Sequence, residues 1–119
     1  MMMFIKEELE VLIDIEADKL NEIYMCCGYV DLRMGINGLS ALVEYTYNVN
    51  PYRENVLFLF CGKTSSWKIK GLIWEKNGFL LVTKWLKETR FYWERDEKKG
   101  LMRITYAQYI NLMNNGRLE

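Results

Sequence analysis

A chain of 119 residues is one domain's worth of protein, and an apolar fraction of 50% with a single proline marks a packed globule, not a disordered chain. Sixteen basic residues balance sixteen acidic ones, so net charge names no partner. The histidine count is zero, which excludes Ser-His-Asp and Cys-His catalysis, His-containing zinc sites and nucleases that hold metal through a His pair. That leans the reading away from an enzyme. Three cysteines, Cys26, Cys27 and Cys61, include no CxxC pair and fit neither a disulfide framework nor a zinc ribbon. Small apolar residues in a reducing cytosol are the better reading. On a strand, adjacent Cys26 and Cys27 point to opposite faces, so at most one is expected in the core. Charges begin at Lys6 and no apolar run reaches membrane-spanning length, so a cytoplasmic protein with no membrane contact is expected. No metal and no cofactor is expected.

The first element is an acidic leader. Residues 1–22 hold seven carboxylates against Lys6 and Lys19, whereas residues 23–119 hold fourteen basic side chains against nine acidic ones. Ile5, Leu9, Leu12, Ile13 and Leu20 fit either a short amphipathic helix or a loose tail. The remaining residues, 23–119, form the domain proper. Ile23 to Cys27 is a short apolar run ending at Gly28, a buried strand. Asp31 caps a helix expected over about 32–47, with Ile36, Leu39, Val43 and Tyr47 as its buried stripe. Gly35 and Gly38 inside it imply a close backbone approach or a kink. Asn48 to Pro51 is a turn. Val56 to Phe60, apolar on both faces, is the central strand.

A hairpin follows over about 67–87. Asn77-Gly78 is a strong two-residue turn signal, which pairs Lys76 with Phe79, Trp74 with Leu81, Lys70 with Trp85 and Lys68 with Lys87. Alternation places Ile69, Gly71, Ile73, Leu80, Val82 and Leu86 on a core face. The other face carries Lys68, Lys70, Leu72, Trp74, Lys76, Phe79, Leu81, Thr83, Trp85 and Lys87. Phe91 to Trp93 is a further short strand, Asp96 to Gly100 a charged turn, and Leu101 to Ile104 one more strand. Thr105-Tyr106-Ala107-Gln108 is a capping box, and Gly116 closes a helix over about 106–115. The expected fold is a single α+β domain with a mainly antiparallel curved sheet, a central hairpin and two packed helices.

The mixed basic and aromatic hairpin face is the most informative surface. Ammonium groups neutralise phosphates, and aromatic rings stack on unpaired bases. The same pattern also fits a second apolar layer under a helix with lysines at its rim. No pair of carboxylates lies at a spacing that suggests a shared acid–base or metal site. Gly62-Lys63-Thr64 lacks the G-x-x-x-x-G-K frame of a phosphate loop. Eight tyrosines have no basic constellation around any one of them that would make a nucleophile.

The segment Gly28-Tyr29-Val30-Asp31-Leu32-Arg33-Met34-Gly35-Ile36-Asn37-Gly38-Leu39 resembles a G-x-T-D-M-R-x-G-x-x-G-L signature. Asn50-Pro51-Tyr52, Leu57 to Gly62, Ile69 to Glu75, Asn77-Gly78-Phe79 and Lys84-Trp85-Leu86 follow in the same order. Together they resemble the TnpB family, small accessory proteins encoded by insertion-sequence elements of the family numbered 66, over roughly residues 23–117. The resemblance implies a role in transposition beside a larger transposase, no catalytic activity of its own, and DNA and the transposase as partners. Its motif positions fall on Asp31, Arg33, Gly35, Gly38, Lys70, Trp74 and Gly78. Asp31 and Arg33 there fit a functional site or a helix cap with an ion pair. An arginine-rich R-R-x-D-R loop usual before the Ile-Lys is here Lys63-Thr64-Ser65-Ser66-Trp67-Lys68. The usual proline after the F-x-W strand is Glu94, and Trp85 stands where arginine is usual.

The candidate phosphate contacts are Arg33, Lys63, Lys68, Lys70, Lys84 and Lys87. The alternative is a module that docks on the transposase through its aromatic face without touching DNA.

Overall fold

Val56–Cys61 is buried at every position, as a strand with no polar face must be. In the computed structural model, which describes residues 20–63 and 66–119, this strand (β2) lies third in a five-stranded sheet of order β4-β3-β2-β1-β5. The others are β1 (Glu22–Cys26), β3 (Lys68–Trp74), β4 (Phe79–Trp85) and β5 (Leu101–Ile104). β1 runs parallel to β2, and the remaining pairs are antiparallel. The fold is the expected α+β domain, with a mixed sheet whose parallel pair is joined through a helical crossover. The hairpin β3–β4 forms one side of the sheet. Of the acidic leader, residues 1–19 lie outside the described residues, and Glu22 opens β1.

Both faces of the sheet are covered. On one, Ile23, Met25, Leu57, Leu59, Ile69 and Ile73 pack with Tyr109, Leu112 and Met113 of the C-terminal helix α2 (Tyr106–Asn115) and with Phe91 and Trp93. On the other, Cys26, Phe58, Phe60 and Leu72 pack with Leu39 and Val43 of the crossover. This double cover corrects the expectation for the cysteines: Cys26 and Cys27 are both buried. Cys26 lies under the crossover helix, where its thiol donates to the Tyr47 hydroxyl at 3.2 Å.

The crossover helix is shorter than the expected 32–47 and starts differently. Residues 31–34 make a turn closed by Met34 N–H donating to Asp31 O at 3.0 Å. The helix α1 proper is Ile36–Ala41, with Gly35 as an N-cap whose backbone is extended and supplies no side-chain cap. A π-helical turn, Leu42–Thr46, continues it. Asp31 does not cap this helix because its carboxylate is held by Arg33, two residues on. Leu39 and Val43 form the buried stripe as expected, but Ile36 at the helix start is 36% exposed.

The hairpin has the expected strands and a different register. Trp74 pairs with Phe79, Leu72 with Leu81, Lys70 with Thr83 and Lys68 with Trp85. Glu75 to Gly78 form a four-residue connection in which Lys76 takes the left-handed conformation (φ 66°). The slip of two positions has a packing reason. It brings Trp74 edge-on to Phe79 at 5.0 Å between centroids, with Tyr52 against both at 5.3 Å. An aromatic cross-strand pair is worth more than the Lys76–Phe79 pair it replaces. A slip of two keeps every side chain on its face, so the expected division of the strands survives.

Residues 91–93 are not a strand. Phe91 N–H donates to Ser66 O and Tyr92 N–H to Gly116 O, so the segment is a strap across the molecule, not a rung of a ladder. Its alternation holds nonetheless: Phe91 and Trp93 are buried and Tyr92 is exposed. Trp93 anchors the strap by donating from Nε1 to Cys26 O at 2.8 Å. The C-terminal helix matches its sequence signals. Thr105 and Gln108 form a reciprocal capping box, and Gly116 closes the helix at φ 76°.

Candidate nucleic-acid interface

Strand directions alone decide which loops meet. β1, β2 and β4 all end, and β3 begins, at the same end of the sheet. The parallel pairing extends past both strands there. Val30 N–H donates to Cys61 O and Lys63 N–H to Val30 O, both at 2.9 Å. The loop 28–35 and the segment after β2 are thereby tied side by side, which brings Asp31, Arg33 and Lys63 together.

Within that loop, Arg33 grips both carboxylate oxygens of Asp31 at 2.7–3.0 Å. The Arg33 hydrogen bonds, assisted by the nearby Lys63 charge, lower the Asp31 carboxyl pKa to about 2. The Lys70 ammonium, half-buried on β3, donates to Met34 O at 3.2 Å. Burial and the neighbouring Lys68 charge lower its pKa. A Cβ on Gly38 would sit 3.2 Å from the Met34 side chain. Asp31, Arg33, Gly38 and Lys70 therefore converge on one task, shaping the loop between β1 and α1 and clamping it onto β3. Gly35 serves the same loop as the N-cap of α1. Trp74 and Gly78 lie at the opposite end, in the aromatic cluster and the hairpin connection.

The six candidate phosphate contacts divide. Arg33, Lys63, Lys68 and Lys70 lie at this one end. Lys68, expected opposite Lys87, instead faces Trp85 with its ammonium 5.2 Å from the ring centroid. That exchange removes a like-charge pair and replaces it with a cation–π contact. Lys87 follows β4 and is exposed. Lys84 is separate. It pairs with Ile69 on the other face of the sheet and lines a small apolar cavity with Leu59, Val82, Tyr109 and Met113. Burial lowers its pKa. Lys84 thus does not share a surface with Lys68 and Lys70.

Sequence reasoning passed over Arg90, Arg95 and Arg117, which the strap 90–95 and the end of α2 deliver to the same region. Arg90 lies over Trp67 and Arg117 over Tyr92. The signal was present as two arginines flanking Phe91-Tyr92-Trp93. None of the thiols is poised as a nucleophile, because burial raises the pKa of all three, that of Cys61 to about 12. Among the described residues no three His, Cys, Asp or Glu side chains stand close enough to hold a metal ion, and no helix is long and apolar enough to cross a membrane.

These features define a small mixed-sheet domain with a basic, aromatic-rimmed end. The chain belongs to the IS66 Orf2-like family (TnpB of IS66), whose model matches residues 21–118. The family is one of accessory proteins of insertion-sequence transposition and is not known as catalytic. A 62-residue stretch is 37% identical to the uncharacterized protein y4jC of Sinorhizobium fredii, covering 52% of this chain and 51% of that protein. The chain thus spans about half the length of this curated relative. No solved structure matches.

Proposed function

We propose that this domain acts in the cytoplasm as a non-catalytic accessory factor of insertion-sequence transposition that holds DNA by its phosphates at the basic end of the sheet. Residues 23–119 form the working domain, with the acidic leader 1–22 as an appendage. Lys63, Lys68 and Lys87 are the primary contacts. Lys70 and Arg33 act mainly on the loop, since one is bound to a carbonyl and the other to Asp31. The observation that carries the reading is the gathering of these cations where the salt bridges among the described residues are Arg33–Asp31 and Lys99–Glu94. Transposase docking through the aromatic face has less support. Leu72 of that face is buried and Phe79 and Leu81 pack against the core beneath α1, which leaves Trp85 exposed and Trp74 at its margin.

Fluorescence anisotropy with a labelled duplex carrying an element end, titrated at two salt concentrations, tests the proposal. The expected result is binding that weakens as salt rises and is lost when Lys63, Lys68 and Lys87 are all replaced by Gln. Undetectable or salt-insensitive binding overturns it.

A further inference from the structure

Three aromatic rings at this end of the molecule each carry a cation over one face. Lys68 lies 5.2 Å from the Trp85 centroid, Arg90 5.5 Å from that of Trp67, and Arg117 4.3 Å from that of Tyr92. Such pairs occur roughly once per 70–80 residues, so three at one end of so short a chain is a concentration. The rings are on the outside: Trp85 is 57%, Tyr92 51% and Trp67 37% exposed. The backbone brings them to one rim of the sheet, Trp85 with Lys68 on the face of α1 and Trp67, opposite Leu86, on the face of α2. Leu86 N–H donates to Trp67 O and Tyr92 N–H to Gly116 O, both at 2.8 Å. Residues 85–92 therefore run from the start of β3 to the end of α2, past all three pairs. A shallow open groove continues beside Arg90 and Tyr92 toward Arg95 and Tyr29.

The charges around the rings favour a polyanion. Lys63, Lys68, Lys87, Arg90, Arg95, Lys98, Lys99 and Arg117 stand against Asp31, Glu88, Glu94, Asp96, Glu97 and Glu119. Of those six carboxylates, Asp31 is held by Arg33 and Glu94 by Lys99.

We infer that this rim binds unpaired DNA, with bases stacking on Trp85, Trp67 and Tyr92 as the strand passes round the end of the sheet and phosphates meeting the cations beside them. The inference rests on the DNA-binding reading above and narrows it. A duplex keeps its base faces stacked inside and offers a protein only phosphates, sugars and groove edges. An unpaired strand offers one π-face and one phosphate per nucleotide, the two groups that each ring–cation pair is built to receive. The cation covers one side of each ring, and a guanidinium plane itself stacks on bases.

The test uses the full chain and three ligands of about 15 nucleotides, a length near the upper site size of single-strand binders. They are an oligothymidylate, its abasic counterpart, and a duplex, all titrated at one salt concentration by anisotropy and tryptophan fluorescence. The oligothymidylate is expected to bind and quench tryptophan emission, and the abasic strand to bind at least ~10-fold more weakly. Trp85→Ala weakens oligothymidylate binding about tenfold and duplex binding by much less, through the loosened Lys68 alone, and Trp85→Phe restores most of the loss. Equal affinity for the abasic strand, or equal losses on duplex and single strand in Trp85→Ala, overturns stacking and leaves phosphate binding standing. Loss of a co-purifying protein from Trp85→Ala with DNA binding intact overturns it in favour of a protein dock. Failure to bind any of the three ligands overturns both readings.

Discussion

The two ends of the sheet treat their cations in opposite ways. At the end where β1 and β2 begin, Glu22 collects Arg53 at 2.7 Å and Arg103 at 3.8 Å, and the Tyr24 hydroxyl donates to the same carboxylate. Those bonds, led by the one from Tyr24, hold the Glu22 carboxyl below its usual pKa. Arg103 also reaches Asn21 O at 3.3 Å. One carboxylate there holds two guanidinium groups and fixes strand ends in place. At the opposite end, Lys68, Arg90 and Arg117 rest on rings, which hold a cation in position without neutralising it. Both ends are rich in basic residues, so counting them does not separate a structural role from a binding one. The partner of each cation does.

The largest effect that tests this contrast comes from breaking the architecture of the basic end. A Cβ on Gly116 would lie 2.5 Å from Arg90 O, at a φ of 76° that side chains rarely adopt. Gly116→Val is expected to lower unfolding free energy by roughly 1–3 kcal/mol from backbone strain alone, measured by urea denaturation. It also displaces the strap that carries Arg90 and Tyr92. If the variant is as stable as the parent, the strap is not clamped to the helix end as described. Next in size is Trp93→Phe, which leaves the buried Cys26 carbonyl without its indole donor at a cost of about 1–3 kcal/mol. Wild-type stability in that variant would show that the strap does not depend on this bond.

A direct comparison of the ends is smaller but sharper. Lys68→Gln is expected to lower the salt slope of duplex binding by about 0.9, the share of one phosphate contact. Glu22→Gln at the far end leaves that slope unchanged and lowers stability by only ~0.2–1 kcal/mol, because its ion pairs are near the surface. A change of slope in Glu22→Gln would place DNA contacts at the wrong end of the sheet.

Much of this contrast could be read in advance, and the parts that could not share a cause. Alternation in Lys68 to Trp85 sorted side chains to faces correctly, because period two survives a slip of two residues. The capping box at Thr105 and the closing Gly116 were legible because both act within one turn of helix. The hairpin register failed because Tyr52, from a distant loop, completes an aromatic cluster with Trp74 and Phe79 that outweighs the local Asn77-Gly78 signal. The start of α1 was misplaced for a similar reason: Arg33 holds the carboxylate that would have capped the helix. Candidate cations were legible as residues, but their partners depend on non-local pairing. Nothing local to Arg117 names Tyr92 as its ring, and nothing near Lys70 names the Met34 carbonyl.

The smallest expected effect concerns the Asp31–Arg33 pair, the one place at the basic end where a carboxylate neutralises a cation among the candidates. Its folded-state pKa of about 2 lies below the ordinary carboxylate value. The charged form is therefore favoured in the fold, and the contribution to stability is present above an unfolded pKa near ~3.9 and disappears as pH falls to about 2. The pair lies at the surface, so the stability difference between wild type and Asp31→Asn should be slight at neutral pH and vanish across that acid window, as urea titrations at successive pH values would show. The same variant carries the binding test in the opposite direction. Asp31→Asn frees the Arg33 guanidinium, so duplex affinity should rise and its salt slope steepen by up to about 0.9. Arg33→Ala, by contrast, removes a charge already cancelled and should move the slope little. If Arg33→Ala weakens binding as much as Lys68→Gln does, Arg33 reaches phosphate despite its carboxylate, and the rule that a cation's partner decides its role fails at this end of the sheet.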